Sequence, residues 1–404
     1  MSSRHVVLIA CVSRKLDIET RAEDLYASDL FEKCLAFARS LKASPYILSA
    51  KHGLLQLDDR IEKYDETLKD KSVAERRAWS QNVMKSLAHV VSRGDRVTFL
   101  AGQKYREFLL EPLRAFGAAI SIPLEGLSIG NQLKWLGNTI VHRNDFQATL
   151  RIFHFLDAVK QLGFYAARFS DFEPEPNFPK RGVYVFTDPN EFSRVVPDCP
   201  RIVRIGTHAV SKGSSSTLWQ RLRTHRGTAA GGGNHRGSIF RLHVGKALAR
   251  RDGLQFPTWG IGQSASREII MGEVAMEEAV SRELGRFSMY SIPIRYASDP
   301  GSDRSFVERN LIALLSRQFS PFEVPRPGWL GLQAVPEEIQ SSGLWNINYT
   351  GDFPDYRVID YLFSGLDAGF FAEGGTPSPR APEDWRMIAQ QLSKTRQLSL
   401  FNNE

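Results

Sequence analysis

Cysteine is scarce: the 404 residues contain only Cys11, Cys34 and Cys199, with no CxxC pair. That spacing excludes a disulfide framework and a structural zinc ribbon, and it fits a reducing cytoplasm. Long apolar runs are missing too; none approaches the ~20 residues of a membrane-spanning helix. Met-Ser-Ser-Arg-His leads straight into an apolar stretch without a signal-peptide pattern, so no membrane is expected. Acidic residues are absent from Arg221 to Arg251, a stretch that holds eight Lys or Arg and three His. The whole chain is 42% hydrophobic and 24% charged, with a formal net charge of +7. A globular protein with a polyanionic partner is the expectation, and the basic run predicts a phosphate-contacting surface.

The N-terminal third has the pattern of an α/β domain. An apolar run at 5–11 reads as a buried parallel strand and ends in Cys11-Val-Ser-Arg14-Lys15. Tyr46–Ser49 ends in Ala50-Lys51-His52-Gly53, and Arg96–Leu100 ends in Ala101-Gly102-Gln103-Lys104-Tyr105-Arg106. Helical spacing falls at 29–42 and 73–92, and a short strand at 119–122. Three strands that each end in polar residues predict a three-layer, parallel-sheet domain with a site along the strand ends.

The pieces Cys11-x-Ser13-Arg14-Lys15, Leu48-Ser49-Ala50-Lys51-His52-Gly53-Leu54-Leu55 and Tyr64-Asp65 resemble an uncharacterised bacterial and phage domain over about 5–137. That domain is similar in turn to the uracil-DNA-glycosylase-like module of archaeal tRNA deazaguanine-modifying enzymes, and more distantly to peroxide-stress DNA-binding proteins. The resemblance implies recognition, or excision, of an abnormal base. Asp65 would then orient water or stabilise an oxocarbenium-like sugar. Cys11, Arg14, Lys15, Ser49, Lys51, His52, Tyr64, Gln103, Tyr105 and Arg106 would hold the base and phosphates. Lys15 or Lys51 is an alternative Schiff-base nucleophile, and a pocket that binds without chemistry is a further alternative.

A connector at 141–180 includes a helical stretch at 146–162 and the extended linker Glu173-Pro-Glu-Pro-Asn-Phe-Pro179. Beyond it stand Arg181-Gly182-Val-Tyr184-Val-Phe, then Arg201-Ile-Val-Arg204-Ile-Gly206, then Arg221 and His225 one helical turn apart. Asn234-His235 follows a glycine-rich loop, and Glu308 opens the apolar helix Phe306–Leu315. This order resembles the GIY-YIG nucleases, which implies an α+β domain at 181–370. The resemblance makes Tyr184 the first-motif tyrosine, Arg221 the phosphate-binding arginine and Glu308 the carboxylate for Mg²⁺ or Mn²⁺. Arg204 stands where the second motif carries tyrosine, so Tyr184, His208 or His225 is left to serve as base. Arg204, Gly206 and His235 join the implied substrate contacts, with Asn346 or Asn348 as a site-lining asparagine. Glu273, Glu277, Glu278 and Glu283 compete with Glu308, which is preferred because its helix continues into the core.

After a linker at 374–382, Gln397-Leu398-Ser-Leu400-Phe401 resembles the bacterial β sliding-clamp-binding motif. Leu398, Leu400 and Phe401 would be the apolar anchors and Gln397 would fix register. The expected organisation is a base-recognition domain at 1–140, a connector at 141–180, a nuclease domain at 181–370 and a tail at 371–404. The expected substrate is DNA with a modified or damaged base, in repair or phage defence. A tRNA-directed enzyme and a non-catalytic DNA-binding stress protein are the alternatives.

Overall fold

The computed structural model describes residues 4–11, 14–176, 178–196, 198–208, 215–228, 231–294, 302–317 and 321–367. The chain divides into two compact units, Met1–Phe146 with Ser193–Cys199, and Gln147–Phe192 with Pro200–Glu404.

The first unit is α/β. Its strands are β1 (His5–Ala10), β2 (Ser44–Ser49), β3 (Gly53–Leu55), β4 (Arg96–Leu100) and β5 (Ala119–Ser121). They lie in the order β3-β2-β1-β4-β5, parallel except for β3. Alternation splits β1 between two faces. Val6 and Leu8 pack with Val83 and Leu87 of helix α1 (Val73–Leu87), which starts in a Ser72/Glu75 capping box. The helices Asp29–Ser40 and Ile129–Val141 pack together through Phe37 and Trp135, and the first of them lies against β1 and β2. The chain leaves β1 for β2 on one side and then crosses to β4 on the other. The β1/β4 strand ends therefore form the switch point at which open sheets leave a crevice.

The second unit is α+β, with the antiparallel sheet β8-β7-β9-β6 built from β6 (Tyr165–Ala166), β7 (Gly182–Phe192), β8 (Pro200–Thr207) and β9 (Ser288–Pro293). Tyr184, Phe186 and Met289 cover one face. They pack on Leu218 and Leu222 of α2 (Leu218–Arg226), Phe240 and Val244 of α3 (Ile239–Arg251), and Val280 and Leu284 of α4 (Arg267–Gly285). Helix α5 (Ser302–Leu315) lies against β7 and β8.

Two features differ from the sequence expectation. The segment read as a connector carries the expected helix, at Arg143–Gln161, but it also supplies β6 to the second unit's sheet. Strand β9 pairs with β7 over six residues, yet Ser288-Met-Tyr-Ser-Ile-Pro293 has no hydrophobic alternation because it is buried on both faces. No described helix is long and apolar enough to cross a membrane.

Candidate active site

The site of the second unit starts from a steric fact. In the β7–β8 pair Tyr184 stands opposite Gly206, and a Cβ at Gly206 would overlap the Tyr184 phenol oxygen and Cζ. The glycine lets the ring lie across the neighbouring strand. Tyr184 Oη lies 2.8 Å from His225 Nε2, and His225 Nδ1 lies 2.7 Å from Ser238 Oγ. The imidazole comes from α2, which a Thr217/Gln220 capping box starts and Gly227 ends with φ of 86°. Tyr184 is 1% exposed and His225 fully buried. Burial, with the charges of Arg204, Arg221 and Arg241, pushes the His225 pKa well below the ordinary range, so the ring is neutral.

Helix α5 brings Glu308 to the end of β8, where Oε1 accepts the Thr207 backbone N–H at 3.0 Å. Burial raises the Glu308 pKa, against the Thr207 N–H and the charges of Arg204 and Arg221. Its second oxygen has no hydrogen-bond partner among the described residues. Arg221 is half-buried on α2, within electrostatic reach of Glu308, and pairs with no side chain among the described residues. An open carboxylate oxygen is a hard donor that suits Mg²⁺ completed by water and phosphate oxygens. No cluster of three metal-ligating side chains occurs among the described residues.

A GIY-YIG domain model matches residues 143–368, more than half of the chain. The chain belongs to the GIY-YIG family. A family of unknown function, DUF6884, matches residues 6–138. No curated protein and no solved structure matches the chain.

Within this GIY-YIG domain several residues do other work than the sequence suggested. Arg204, buried at 7% exposure, donates from Nη1 to the Trp345 carbonyl and lies 4.4 Å from the Phe240 ring centroid. It is committed to the core rather than to a substrate, and Gly206 serves as a steric gap. His235 has both ring nitrogens spent: Nδ1 on Glu277 at 2.9 Å, and Nε2 accepting from the Gly260 N–H at 3.0 Å. Asn346 pairs with both backbone groups of Ile205, at 3.1 and 2.8 Å, and Trp345 N donates to Val203 O at 2.6 Å. The 345–346 segment thereby covers the free edge of β8.

Three of the competing acids are also occupied, Glu283 by Arg286 at 2.7 Å. Glu273 holds Arg236, whose hydrogen bond lowers its pKa. Glu277 holds His235 and Arg241, and these outweigh the burial that would raise its pKa. Five of the eight basic residues of the run, Arg226, Arg236, Arg241, Arg250 and Arg251, are bound to carboxylates or carbonyls. The site residues that sequence reasoning missed are Thr207, which acts through its backbone, and Ser238. The latter was detectable as the cap of α3, where it accepts the Arg241 N–H at 3.2 Å.

Asn346→Ala would leave both backbone groups of Ile205 without their partners. The expected cost is about 1–3 kcal/mol, with weakened cleavage, since the same strand carries Thr207. Equilibrium denaturation checks this, and a change under about 0.5 kcal/mol would refute the edge-holding role.

In the first unit the structure brings some predicted residues together at the strand ends. Cys11 Sγ lies 3.1 Å from Tyr105 Oη, across the β1/β4 switch point. Ser49 Oγ donates to Tyr64 Oη at 2.8 Å, Tyr64 meets Tyr26 at 2.7 Å, and Lys15 Nζ sits 4.3 Å from the Tyr64 ring centroid. Ser49 also accepts the His52 backbone N–H at 3.0 Å. Burial raises the Tyr64 and Tyr26 pKa values, so this is a chain of neutral hydroxyls. Ser49 and Tyr64 are buried and hydrogen-bonded to each other, and Arg106 is paired with Glu125 at 3.0 Å. Arg14, Lys51, His52, Gln103 and Asp65 are exposed. Burial of the ring and the nearby Lys51 lower the His52 pKa. Asp65 makes no hydrogen bond among the described residues. Gln397, Leu398, Leu400 and Phe401 lie outside the described residues.

Proposed function

We propose that this GIY-YIG protein is a metal-dependent DNA endonuclease coupled to a unit that recognises, and through Asp65 excises, an abnormal base. What carries the reading is one arrangement: among the described residues, Glu308 with an open oxygen and Arg221 without a side-chain partner, beside the buried Tyr184–His225–Ser238 chain. Arg221 takes the scissile phosphate, and its fixed positive charge stabilises the charge that develops on the phosphoryl oxygens. The open Glu308 oxygen holds Mg²⁺ or Mn²⁺. A divalent cation there neutralises charge on the phosphate and on the departing oxygen. Tyr184, its hydroxyl fixed by His225, orients the incoming water. Arg14, Lys15, Lys51, His52 and Gln103 surround the strand ends where the base is read. The 397–401 tail docks on the sliding clamp, which ties cleavage to replicating DNA in repair or phage defence within the cytoplasm.

The experiment is a cleavage and base-release assay on plain and modified-base duplexes, with and without Mg²⁺, with tRNA as competitor. Wild type is expected to nick DNA only with the metal, and Asp65→Ala to lose base release while retaining nicking. Absence of strand breaks on every duplex would sink the endonuclease reading, and cleavage confined to tRNA would replace it with RNA processing.

A further inference from the structure

His208 follows directly on Thr207, the residue whose N–H holds Glu308. It is 5% exposed, and neither Nδ1 nor Nε2 has a hydrogen-bond partner among the described residues. A buried ring nitrogen left without a partner is expensive, of order 1–3 kcal/mol. Native proteins keep such groups where a bound water or a substrate completes them. Three cations face the ring: Arg304 from α5, Arg181 from the start of β7 and Arg221 from α2. The Lys180 carbonyl approaches it without hydrogen-bond geometry. Burial first, then these arginines, lower its pKa to about 4, so the ring is neutral, with a lone pair available, over the physiological range.

The other basic candidates are closed. Arg204 occupies the second-motif position and is bound to Trp345 and stacked on Phe240. His225 has both ring nitrogens engaged, by Tyr184 and by Ser238, which leaves Tyr184 its water-orienting role. His243 is likewise buried and without a hydrogen-bond partner among the described residues, but it faces Arg204, Lys246 and Glu338 rather than Arg221.

We infer that His208 is the general base of the nuclease site, accepting the proton of the attacking water. The inference rests on the nuclease reading above. The ring approaches the Lys180 carbonyl, which favours the tautomer whose N–H faces it and leaves the other nitrogen as acceptor for a water. That water forms the new P–O bond and gives one proton to the free ring nitrogen. The P–O bond to the sugar oxygen breaks, its electron pair leaves with that oxygen, and solvent water protonates it. His208 then returns its proton to solvent, so one water and one phosphodiester yield one hydroxyl and one phosphomonoester. Arg221 serves both parts, since its charge keeps the imidazole unprotonated until the phosphate anion arrives.

The test compares wild type, His208→Ala and His208→Gln in single-turnover cleavage with Mg²⁺, and in DNA binding with Ca²⁺ in place of Mg²⁺. Both variants should cleave about 100-fold or more slowly, the usual scale of general-base removal, and bind DNA within about threefold of wild type. Added imidazole should restore part of the rate to His208→Ala. A variant within about tenfold of wild type, a rate loss matched by lost DNA affinity, or no response to imidazole would overturn the assignment. The nuclease reading fails separately, if wild type itself shows no Mg²⁺-dependent cleavage.

Discussion

Glu308→Gln is expected to slow Mg²⁺-dependent strand cleavage at least about 100-fold, the scale on which loss of one charge-stabilising group slows such reactions. The fold should survive, because the amide oxygen still accepts the Thr207 N–H that Oε1 accepts now. The substitution should even raise the melting temperature. The carboxyl pKa is raised by burial, so the folded state holds its proton more tightly than the unfolded chain. Stability therefore falls as pH rises through the ordinary glutamate value and on to the higher folded one, and a neutral amide avoids that loss. Cleavage rates at saturating Mg²⁺ and a thermal melt at neutral pH measure both effects. Cleavage within about threefold of wild type would remove Glu308 from the metal site. A lost rate with a lowered melting temperature would mean that the carboxylate holds β8 rather than a cation.

The second large effect is Glu277→Ala. Arg241 is fully buried and donates to Glu277 from Nε at 2.9 Å and from Nη2 at 2.6 Å, while His235 donates from its backbone at 2.6 Å and from Nδ1 at 2.9 Å. Removing the carboxylate leaves a guanidinium uncompensated in the core, which costs about 3–5 kcal/mol. The damage should reach the site, because Arg241 Nη1 also holds the His225 carbonyl at 3.0 Å. Glu277 has a lowered pKa, so its contribution is present above the ordinary glutamate value of 4.5 and disappears as pH falls through the folded value. The Ala variant should accordingly show a flatter loss of stability in acid. Denaturant unfolding at neutral pH and near pH 4 is the measurement, and a cost below about 1 kcal/mol at neutral pH would contradict the buried-pair account.

Several elements were legible because they depend on local rules. The strands at 5–11, 96–100 and 201–206 are apolar runs, and the helices at 73–92 and 218–225 show helical spacing, so period places them without the rest of the fold. Tyr184, Arg221, His225 and Glu308 were legible through the order of their motifs. Strand β9 was not, since a strand buried on both faces shows no alternation. Nor was the role of Arg204, His235 or Asn346. Each carries groups that suit a substrate, and what spends those groups is a partner 25 to 141 residues away in the chain. Charge can be counted along a sequence, but the pairing of Arg226, Arg236 and Arg241 with Glu173, Glu273 and Glu277 depends on tertiary proximity.

By itself the sequence determined the two-part α/β and α+β organisation, the GIY-YIG motif order and the carboxylate on α5. These follow from periodicity and residue type, which are local properties. Only the tertiary structure decided which polar groups are left open. Among the described residues Glu308 keeps an oxygen open and Arg221 has no side-chain partner, while His235 and Asn346 are engaged by hydrogen bonds and Arg204 holds the Trp345 carbonyl. The physical reason is that a buried polar group must be satisfied, and whether a neighbour in the chain or a bound substrate satisfies it depends on contacts the linear order does not contain.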